Sequence, residues 1–251
     1  MPKYLKTNSK YSPPPKDIVH FLAKFTNWYF DPQYFGLENL SKDKPALYVS
    51  NHTLLGITDG PLYTAKLYED LDIFLRVLVD NLHLGLPLWR SIMTDLGAVT
   101  GSREHVLDLM HNKQHILVFP GGANEVCKVK GEEYKLVWKE RYGFVKLAIE
   151  NSYPIIPISS LGGDELYDIL VDKEEVKDSK LGEWLKEKGI LDKYFKGGEN
   201  IPPLVKGIGP TLFPKPKKLY YKFGKAIETK HLKKDSKEEN LKEMRDQVEA
   251  A

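Results

Sequence analysis

The stretch ALYVSNH, residues 46–52, carries the strongest indication of the fold of this chain. Its first five residues are apolar or β-favouring, which is typical of a buried strand. Asn51 is a residue type that often begins a helix, and His52 then lies at the end of the strand. In α/β folds this edge collects reactive groups, because the sheet holds the loops in place while their side chains face a crevice. The sequence therefore predicts a strand followed by a helix, with His52 in a candidate site.

A second stretch, FPGGANE at residues 119–125, follows another apolar run. Pro120 ends that run, and Gly121 and Gly122 allow the backbone to turn sharply and to approach a ligand closely. Free amide groups in such a turn can bind an anion. The same pattern also fits an ordinary turn after a strand, so its interpretation depends on the neighbouring motifs.

His52 is a candidate base, because imidazole has a pKa of about 6.5 and can accept a proton from a hydroxyl near neutral pH. Asp59 is the nearest downstream carboxylate that could fix its tautomer. On a continuous helix the seven residues between them would rise about 10 Å, too far for a hydrogen bond. Asp59 can therefore reach His52 only if Gly56 interrupts the segment.

Four motifs occur in an order that is typical of one enzyme superfamily. They are NHTLLGITD at residues 51–59, GAVTGSR at 97–103, FPGGANE at 119–125 and YPIIPI at 153–158. Over roughly residues 45–230 the chain resembles the glycerolipid acyltransferase superfamily. The third motif and RYGFVKLA at residues 141–148 are most similar to the branch that contains diacylglycerol acyltransferases and phytyl ester synthases.

The resemblance implies an O-acyltransferase that moves a fatty acyl group from acyl-CoA, or from an acyl carrier protein, to a hydroxyl of a glycerolipid or related lipid alcohol. His52 would deprotonate the acceptor, whose oxygen attacks the thioester carbonyl. The implied site residues are the catalytic His52 and Asp59 and the substrate-binding Arg103, Pro120, Gly121, Gly122 and Glu125. Backbone amides of the turn at 120–122, or of the helix after Asn51, are candidates to stabilise the oxyanion.

Two departures from the family pattern affect these expectations. Asp59 follows His52 by seven positions instead of the family's usual five, so Glu125 and a backbone carbonyl are alternative partners for the imidazole. Gly121 stands where lysophosphatidic acid acyltransferases have a glutamate, for which Glu125 could substitute. Arg103 keeps the place of an arginine that contacts the acceptor phosphate in phospholipid-making members, and its guanidinium suits phosphate. Arg103 therefore favours a phosphorylated acceptor and Gly121 a neutral one.

Apolar runs alternate with helical patterns along the chain, which predicts an α/β fold with a mostly parallel or mixed central sheet flanked by helices. The predicted strands are residues 46–50, 73–79, 97–100, 116–119, 155–158 and 219–223. An N-terminal segment with an amphipathic helix (1–44) precedes the acyltransferase domain (45–230), and a C-terminal helix follows (231–251). We expect an inserted helical lobe at about 164–203, either a lid or tunnel wall or simply exposed helical packing.

The composition fits a globular enzyme: 251 residues, of which 41% are hydrophobic and 29% charged. The net charge of +2 gives no reason to expect nucleic acid. A local group of lysines could bind anionic lipid or the phosphates of coenzyme A, or could simply be solvated. These are Lys215, Lys217, Lys218, Lys222 and Lys225. No metal or redox cofactor is expected, because the histidines lack a zinc-ligand spacing.

Any membrane contact is expected to be peripheral, because the sequence has no apolar run of about eighteen residues. One face of residues 18–29 is apolar and aromatic, and could lie in a bilayer interface or pack on the core. Its members are Ile18, Phe21, Leu22, Phe25, Trp28 and Tyr29. The N-terminus resembles no secretory signal, and the single Cys127 cannot form an intrachain disulfide, so we expect a cytoplasmic protein, with association at the inner membrane face as an option.

Two alternatives to acyl transfer remain open. A base, an oxyanion site and an acyl pocket would also let water attack an ester or thioester, although the Gly-x-Ser-x-Gly sequence of serine esterases is absent. A lipid-binding protein that has lost catalysis is the alternative from a different class. It is favoured by the long spacing between His52 and Asp59 and by the glycine at position 121.

Overall fold

A computed structural model describes residues 11–80, 87–232 and 238–251. Its strands are β1 (Gln33–Phe35), β2 (Leu47–Ser50), β3 (Leu75–Val79), β4 (Val99–Thr100), β5 (His115–Val118), β6 (Ile155–Leu161), β7 (Asp168–Val171), β8 (Leu204–Lys206) and β9 (Tyr220–Phe223). Seven of them form one sheet in the order β1-β9-β6-β2-β5-β3-β4. All its neighbouring strands are parallel except β6 and β9. The predicted fold class, a mostly parallel or mixed sheet flanked by helices, is therefore confirmed.

Helices lie between most of the strands, and short 3₁₀ turns cover Leu37–Asn39, Leu54–Gly56 and Gly163–Leu166. The helices are α1 (Lys16–Phe30), α2 (Asp59–Leu71), α3 (Pro87–Asp95), α4 (Arg103–His111), α5 (Ala123–Val126), α6 (Gly143–Glu150), α7 (Lys173–Lys177), α8 (Lys180–Glu187), α9 (Ile190–Phe195) and α10 (Glu238–Ala250). In the parts of the chain given above, no helix is long and apolar enough to span a bilayer.

The alternating side chains of the central strands supply two hydrophobic cores, one on each face of the sheet. Tyr48 of β2 and Leu117 of β5 lie in the core that includes side chains of α1 and α2. Leu47, Val49 and Ile116 lie in the core that includes side chains of α4, α6 and α10. Burial on both faces fixes the register of these strands, and with it the positions of the loops that follow them.

The segment between β6 and β9 is less helical than the sequence predicted. It contains α7, α8 and α9, but β7 and β8 flank these helices as a separate antiparallel pair. The strands β1, β7 and β8 were missed because runs of three or four residues are too short to show a period of two. The six predicted strands are present, and none of their ends is displaced by more than three residues. Ser236, predicted to cap the last helix, lies outside the described residues.

Candidate active site

Three neighbouring parallel strands place the candidate site at one edge of the sheet. The strands β6, β2 and β5 pair in parallel, so their carboxyl ends meet. The chain leaves them into three segments, and the first of these, residues 51–58, contacts both of the others, residues 119–122 and 162–164. This is the edge at which the sequence predicted His52 and the proline-glycine turn.

The structure brings His52 and Asp59 together. The distance from His52 Nδ1 to Asp59 Oδ2 is 3.1 Å. The prediction that a helix begins directly after Asn51 is wrong. Residues 51–53 are irregular, a 3₁₀ turn covers Leu54–Gly56, and α2 begins only at Asp59. Leu55 and Gly56 both have a φ of 62°, and this left-handed backbone folds the segment back on itself. Gly56 thus interrupts the segment in the way that contact with Asp59 required.

Asp59 is fully buried and accepts hydrogen bonds at both carboxylate oxygens. Oδ2 accepts the Thr53 backbone N–H at 2.6 Å as well as the imidazole. Oδ1 accepts the hydroxyls of Thr53 at 2.8 Å and Ser160 at 3.1 Å. As the first residue of α2, the carboxylate also lies at the positive end of the helix dipole. These four donors hold the carboxylate in one orientation towards His52.

Three successive backbone amides after Asn51 each donate to a different buried carboxylate. The N–H of His52 donates to Glu125 Oε2 at 2.8 Å. The N–H of Thr53 donates to Asp59, and that of Leu54 donates to Asp164 Oδ1 at 2.6 Å. All three amides are therefore occupied, and this segment cannot supply the oxyanion donors that the sequence suggested.

The imidazole of His52 lies between the proline-glycine turn and the 3₁₀ turn. Its ring stacks on that of Phe119, with centroids 3.6 Å apart and planes inclined by 9°. A Cβ at Gly56 would lie 2.9 Å from His52 Nδ1, so a side chain there would push on the ring. The His52 side chain is 19% exposed, and no described residue hydrogen-bonds its Nε2. The ring is therefore held on two sides, and Nε2 is the nitrogen left for a substrate.

Glu125 occupies the space beside Gly121. A Cβ at Gly121 would lie 2.2 Å from the Glu125 carboxylate, so a larger residue at 121 would collide with it. Glu125 is fully buried and also accepts the Val137 N–H at 3.2 Å. Burial raises the pKa of this carboxyl above its usual value, although the hydrogen bonds from His52 and Val137 oppose that shift. Its contact with His52 is through the backbone and not through the imidazole.

The turn at 120–122 leaves one amide available. Pro120 has no N–H, and the Gly122 N–H donates to the Phe119 carbonyl at 3.1 Å. The Gly121 N–H has no acceptor among the described residues. Arg141 holds the turn from outside, because its Nη1 donates to the carbonyls of Pro120 at 2.7 Å and Gly121 at 3.2 Å. The sequence analysis used Arg141 only as part of the stretch at 141–148 that carries the resemblance, and gave it no role.

Arg103 lies apart from these contacts. It is the first residue of α4, and its side chain is 58% exposed. Its Nη2 donates to Glu150 Oε2 at 2.7 Å. Within the described ranges it contacts neither His52 nor Glu125.

Asp164 and Lys128 are a buried pair that the sequence analysis did not identify. Each side chain is 3% exposed, and Lys128 Nζ lies 2.9 Å from Asp164 Oδ2. Asp164 also accepts the Tyr134 N–H at 2.8 Å, so it joins the loop after β2 to the loop before α6. No motif of polar residues marks these positions, and only the packing of β6 beside β2 reveals them. Cys127 is buried too, and burial raises the pKa of its thiol to about 11, which does not suit a nucleophile.

A cavity of about 200 Å³ adjoins this network. Its lining includes Asn51, Thr53, Tyr134, Leu136, Ser160 and Asp164. Asn51 lies here because its side chain pairs with the Ser160 backbone, at 2.9 Å to the carbonyl and 2.8 Å from the N–H. A larger cavity, about 880 Å³, lies at the end of β9 beside α10. Its lining includes Lys222 and Lys225 of the lysine group but neither the predicted catalytic pair nor the predicted substrate-binding residues.

Comparisons with known proteins agree with the resemblance read from the motifs. The diacylglycerol acyltransferase family model matches residues 20–248. Phytyl ester synthase 2, chloroplastic, from Arabidopsis thaliana is 34% identical over 212 residues, which are 80% of this chain and 30% of the plant protein. Diacylglycerol O-acyltransferase 1 from Saccharomyces cerevisiae is 30% identical over 131 residues, 52% of this chain and 31% of the yeast protein.

The solved structure of the 1-acyl-sn-glycerophosphate acyltransferase PlsC from Thermotoga maritima has a TM-score of 0.54, with 16% identity over 94% of this chain and 77% of that one. It shares the fold. The chain spans about a third of the length of the plant and yeast relatives. Since the family model covers most of the sequence, the chain belongs to the diacylglycerol acyltransferase family.

Proposed function

We propose that this protein transfers a fatty acyl group from a thioester, either acyl-CoA or an acyl carrier protein, to the hydroxyl of an uncharged lipid alcohol. The observation that carries the proposal is the His52–Asp59 pair, 3.1 Å apart, with no hydrogen bond from the described part of the chain to Nε2 of the imidazole. A carboxylate at Nδ1 keeps the proton on that nitrogen and leaves a lone pair on Nε2. This is the arrangement that a general base requires.

In the proposed reaction, Nε2 of His52 takes the proton of the acceptor hydroxyl as its oxygen attacks the thioester carbonyl. The tetrahedral intermediate collapses and the carbon–sulfur bond breaks. His52 returns its proton to the sulfur, so that the carrier leaves as the free thiol and His52 is regenerated. Asp59 stabilises the imidazolium formed between these steps. The four donors around Asp59 hold its carboxylate in one orientation towards His52. No covalent enzyme intermediate and no metal or redox cofactor is needed for this sequence of steps.

We assign the oxyanion to the Gly121 N–H. It is the one amide of the turn without an acceptor in the described part of the chain, and it lies in the turn next to Phe119, on which His52 stacks. The amides of residues 52–54 are excluded because buried carboxylates occupy them. An oxyanion donor of this kind contributes about 3 to 4 kcal/mol to the stabilisation of the transition state.

Three observations support an uncharged acceptor. The family and the relatives are named for acylation of diacylglycerol and phytol. A glutamate at position 121, the residue of lysophosphatidic acid acyltransferases, would collide with Glu125. The guanidinium of Arg103, which would read an acceptor phosphate, is paired with Glu150. Because such acceptors are insoluble in water, we also propose that the protein works in peripheral contact with a membrane, on its cytoplasmic side.

The test measures transfer of labelled palmitoyl groups from palmitoyl-CoA and from palmitoyl carrier protein. The acceptors are diacylglycerol, a long-chain alcohol, monoacylglycerol and lysophosphatidic acid. We compare the parent with His52→Ala and with His111→Ala, an exposed histidine of α4 that serves as the matched control. We expect ester formation on the uncharged acceptors, a loss of at least about 100-fold in His52→Ala, and parental rates in His111→Ala.

Other outcomes overturn parts of this proposal. Release of free fatty acid alone would identify a hydrolase. Preference for lysophosphatidic acid would assign a phosphorylated acceptor. If His52→Ala is folded by circular dichroism and keeps its activity, His52 is not the base. Lipid binding without turnover by the parent would indicate a lipid-binding protein that has lost catalysis.

A further inference from the structure

The outer face of α1 is exposed. Of this helix only Ala23 and Phe30 are buried, so packing on the core accounts for just one of its sides. The large apolar side chains on the other side are Ile18 (50% exposed), Phe21 (77%), Leu22 (59%), Phe25 (53%) and Trp28 (76%). A contiguous apolar surface of this kind usually marks a binding site for a protein or a membrane.

A second element, residues 207–213, extends this face. Leu212 is 70% exposed and Phe213 is 47% exposed. The ring of Tyr29 joins the two elements, because it lies 5.7 Å from that of Phe25 and 5.3 Å from that of Phe213. Trp28 continues the series at 6.0 Å from Phe25. We call Phe21, Phe25, Trp28, Leu212 and Phe213 together the aromatic surface.

The aromatic surface has a fixed shape. Residues 207–213 close on themselves, with the Gly207 N–H donating to the Thr211 carbonyl at 2.7 Å and the Ile208 N–H to the Phe213 carbonyl at 2.8 Å. The Tyr29 hydroxyl donates to the Pro214 carbonyl at 2.6 Å and ties this loop to α1. A surface held in this way loses little conformational entropy when it binds.

The charges near the aromatic surface are largely compensated. Three of the five clustered lysines form ion pairs, Lys215 with Asp168, Lys217 with Glu165 and Lys218 with Asp31. The other two, Lys222 and Lys225, line the cavity at the end of β9. The lysines that follow the 207–213 loop are therefore not a free cationic patch that would select anionic lipid. A surface of exposed Trp, Phe and Leu beside balanced charges matches the headgroup region of an uncharged or zwitterionic bilayer, where aromatic rings are favoured.

We propose that the aromatic surface is the membrane-docking face of this protein and inserts into an uncharged or zwitterionic lipid surface. With 15 residues, α1 is about 22 Å long and would lie along the membrane plane without crossing it. The inference deepens the proposed function, on which it rests for the presence of a lipid substrate, because it names the partner that presents the acceptor. Docking is driven by apolar burial and not by charge.

The test is vesicle sedimentation with phosphatidylcholine alone and with phosphatidylcholine containing one fifth phosphatidylglycerol. The variants are the double change Phe21→Ala with Trp28→Ala, the single change Leu212→Ala, and the matched control Trp184→Ala. Trp184 is 49% exposed on α8, outside the aromatic surface. We expect the parent to bind phosphatidylcholine vesicles, the double variant to bind at least about tenfold more weakly, Leu212→Ala to be intermediate, and Trp184→Ala to match the parent.

Charge and catalysis are tested separately. Raising the salt concentration to 0.5 M, or adding the anionic lipid, should change binding less than about threefold. His52→Ala should bind vesicles like the parent, so that loss of the proposed function and loss of docking are distinguished. Binding that needs phosphatidylglycerol and disappears in salt would overturn the proposal in favour of the lysines. Equal binding by the parent and the double variant would also overturn it, as would dimerisation of the parent through this face without vesicle binding.

Discussion

The loop after β2 and the start of α4 both carry motifs of the same family, but their structural environments are opposite. In the loop, His52 contacts Asp59, and three successive amides donate to three buried carboxylates. At the start of α4, Arg103 is mostly exposed and makes one ion pair with Glu150. The first region is rigid and costly to build, and the second is an ordinary surface. The two motifs alone therefore do not distinguish the regions, whereas the number of hydrogen bonds around each residue does.

The free-energy cost of burying carboxylates explains why each carboxylate that contacts the loop after β2 accepts more than one hydrogen bond. Burying a carboxylate is strongly unfavourable unless hydrogen bonds or a cation compensate for lost hydration. Asp59 has four donors, Glu125 has two, and Asp164 has two amides and the ammonium of Lys128. Removing any one donor leaves a buried carboxylate with less compensation for its lost hydration. Substitutions should therefore have larger effects here than at Arg103.

Asp59→Asn should give the largest effect. Both oxygens of Asp59 accept hydrogen bonds. In an asparagine one of these oxygens is replaced by an NH₂ group, which is itself a donor and cannot accept the hydrogen bonds made at that position. With the tautomer of His52 no longer fixed, we expect kcat to fall by on the order of 10³- to 10⁴-fold. The measurement is acyl transfer to diacylglycerol, with unfolding monitored in urea. Asp70→Asn, an exposed aspartate on the same helix, is the control, and activity within tenfold of the parent would show that Asp59 does not orient His52.

The variant Glu125→Gln should change how the free energy of unfolding depends on pH, because Glu125 is a buried carboxyl group. The pKa of Glu125 is raised in the folded protein by burial. As pH rises, its carboxyl proton is therefore lost at a lower pH in the unfolded state than in the folded state. The free energy of unfolding of the parent therefore falls between the ordinary glutamate pKa and the raised one, by about 1.4 kcal/mol per unit of difference. Glutamine does not titrate.

We therefore expect the stability of Glu125→Gln relative to the parent to improve as pH rises from about 4 to 8, although loss of one amide hydrogen bond lowers it at every pH. Urea unfolding across this range measures the difference. Glu133→Gln, at an exposed position, should show no such trend. A relative stability of Glu125→Gln that is constant with pH would contradict the raised pKa.

Much of the site could be predicted from the sequence because parallel strands deliver their loops to one edge. The apolar runs before residues 51 and 119 predicted β2 and β5, and their pairing brings His52 onto Phe119. The contact with Asp59 was left open, because helical periodicity does not reveal a left-handed break. Gly56 was the signal for that break, but nothing indicated that Leu55 would adopt a positive φ too.

The remaining contacts depend on packing between distant segments. Asp164 reaches Leu54 across 110 positions of sequence, only because β6 lies beside β2. Asn51 looked like a helix cap, but the Ser160 backbone satisfies its side chain instead. No local pattern distinguishes these outcomes, since asparagine and aspartate favour caps and turns wherever they occur.

Arg141→Ala should have an intermediate effect. The guanidinium fixes the carbonyls of Pro120 and Gly121. The Pro120 carbonyl belongs to the same peptide group as the Gly121 N–H, so Arg141 orients the proposed oxyanion donor directly. A hydrogen bond from a charged group contributes about 1.5 to 3 kcal/mol, so we expect kcat to fall roughly tenfold with a smaller change in KM. Lys139→Ala, which removes an exposed cation on the same segment, is the control. A change confined to KM would assign Arg141 to substrate binding instead.

Arg103→Ala should have the smallest effect and completes the comparison. The guanidinium and its partner Glu150 are accessible to solvent, so the pair contributes at most about 1 kcal/mol to stability. With an uncharged acceptor, kcat/KM should stay within about threefold of the parent. Glu150→Ala is the informative companion, because it frees Arg103 without removing it. If Arg103 reads a phosphate, Arg103→Ala raises KM for lysophosphatidic acid alone and Glu150→Ala lowers it, and α4 then belongs to the site.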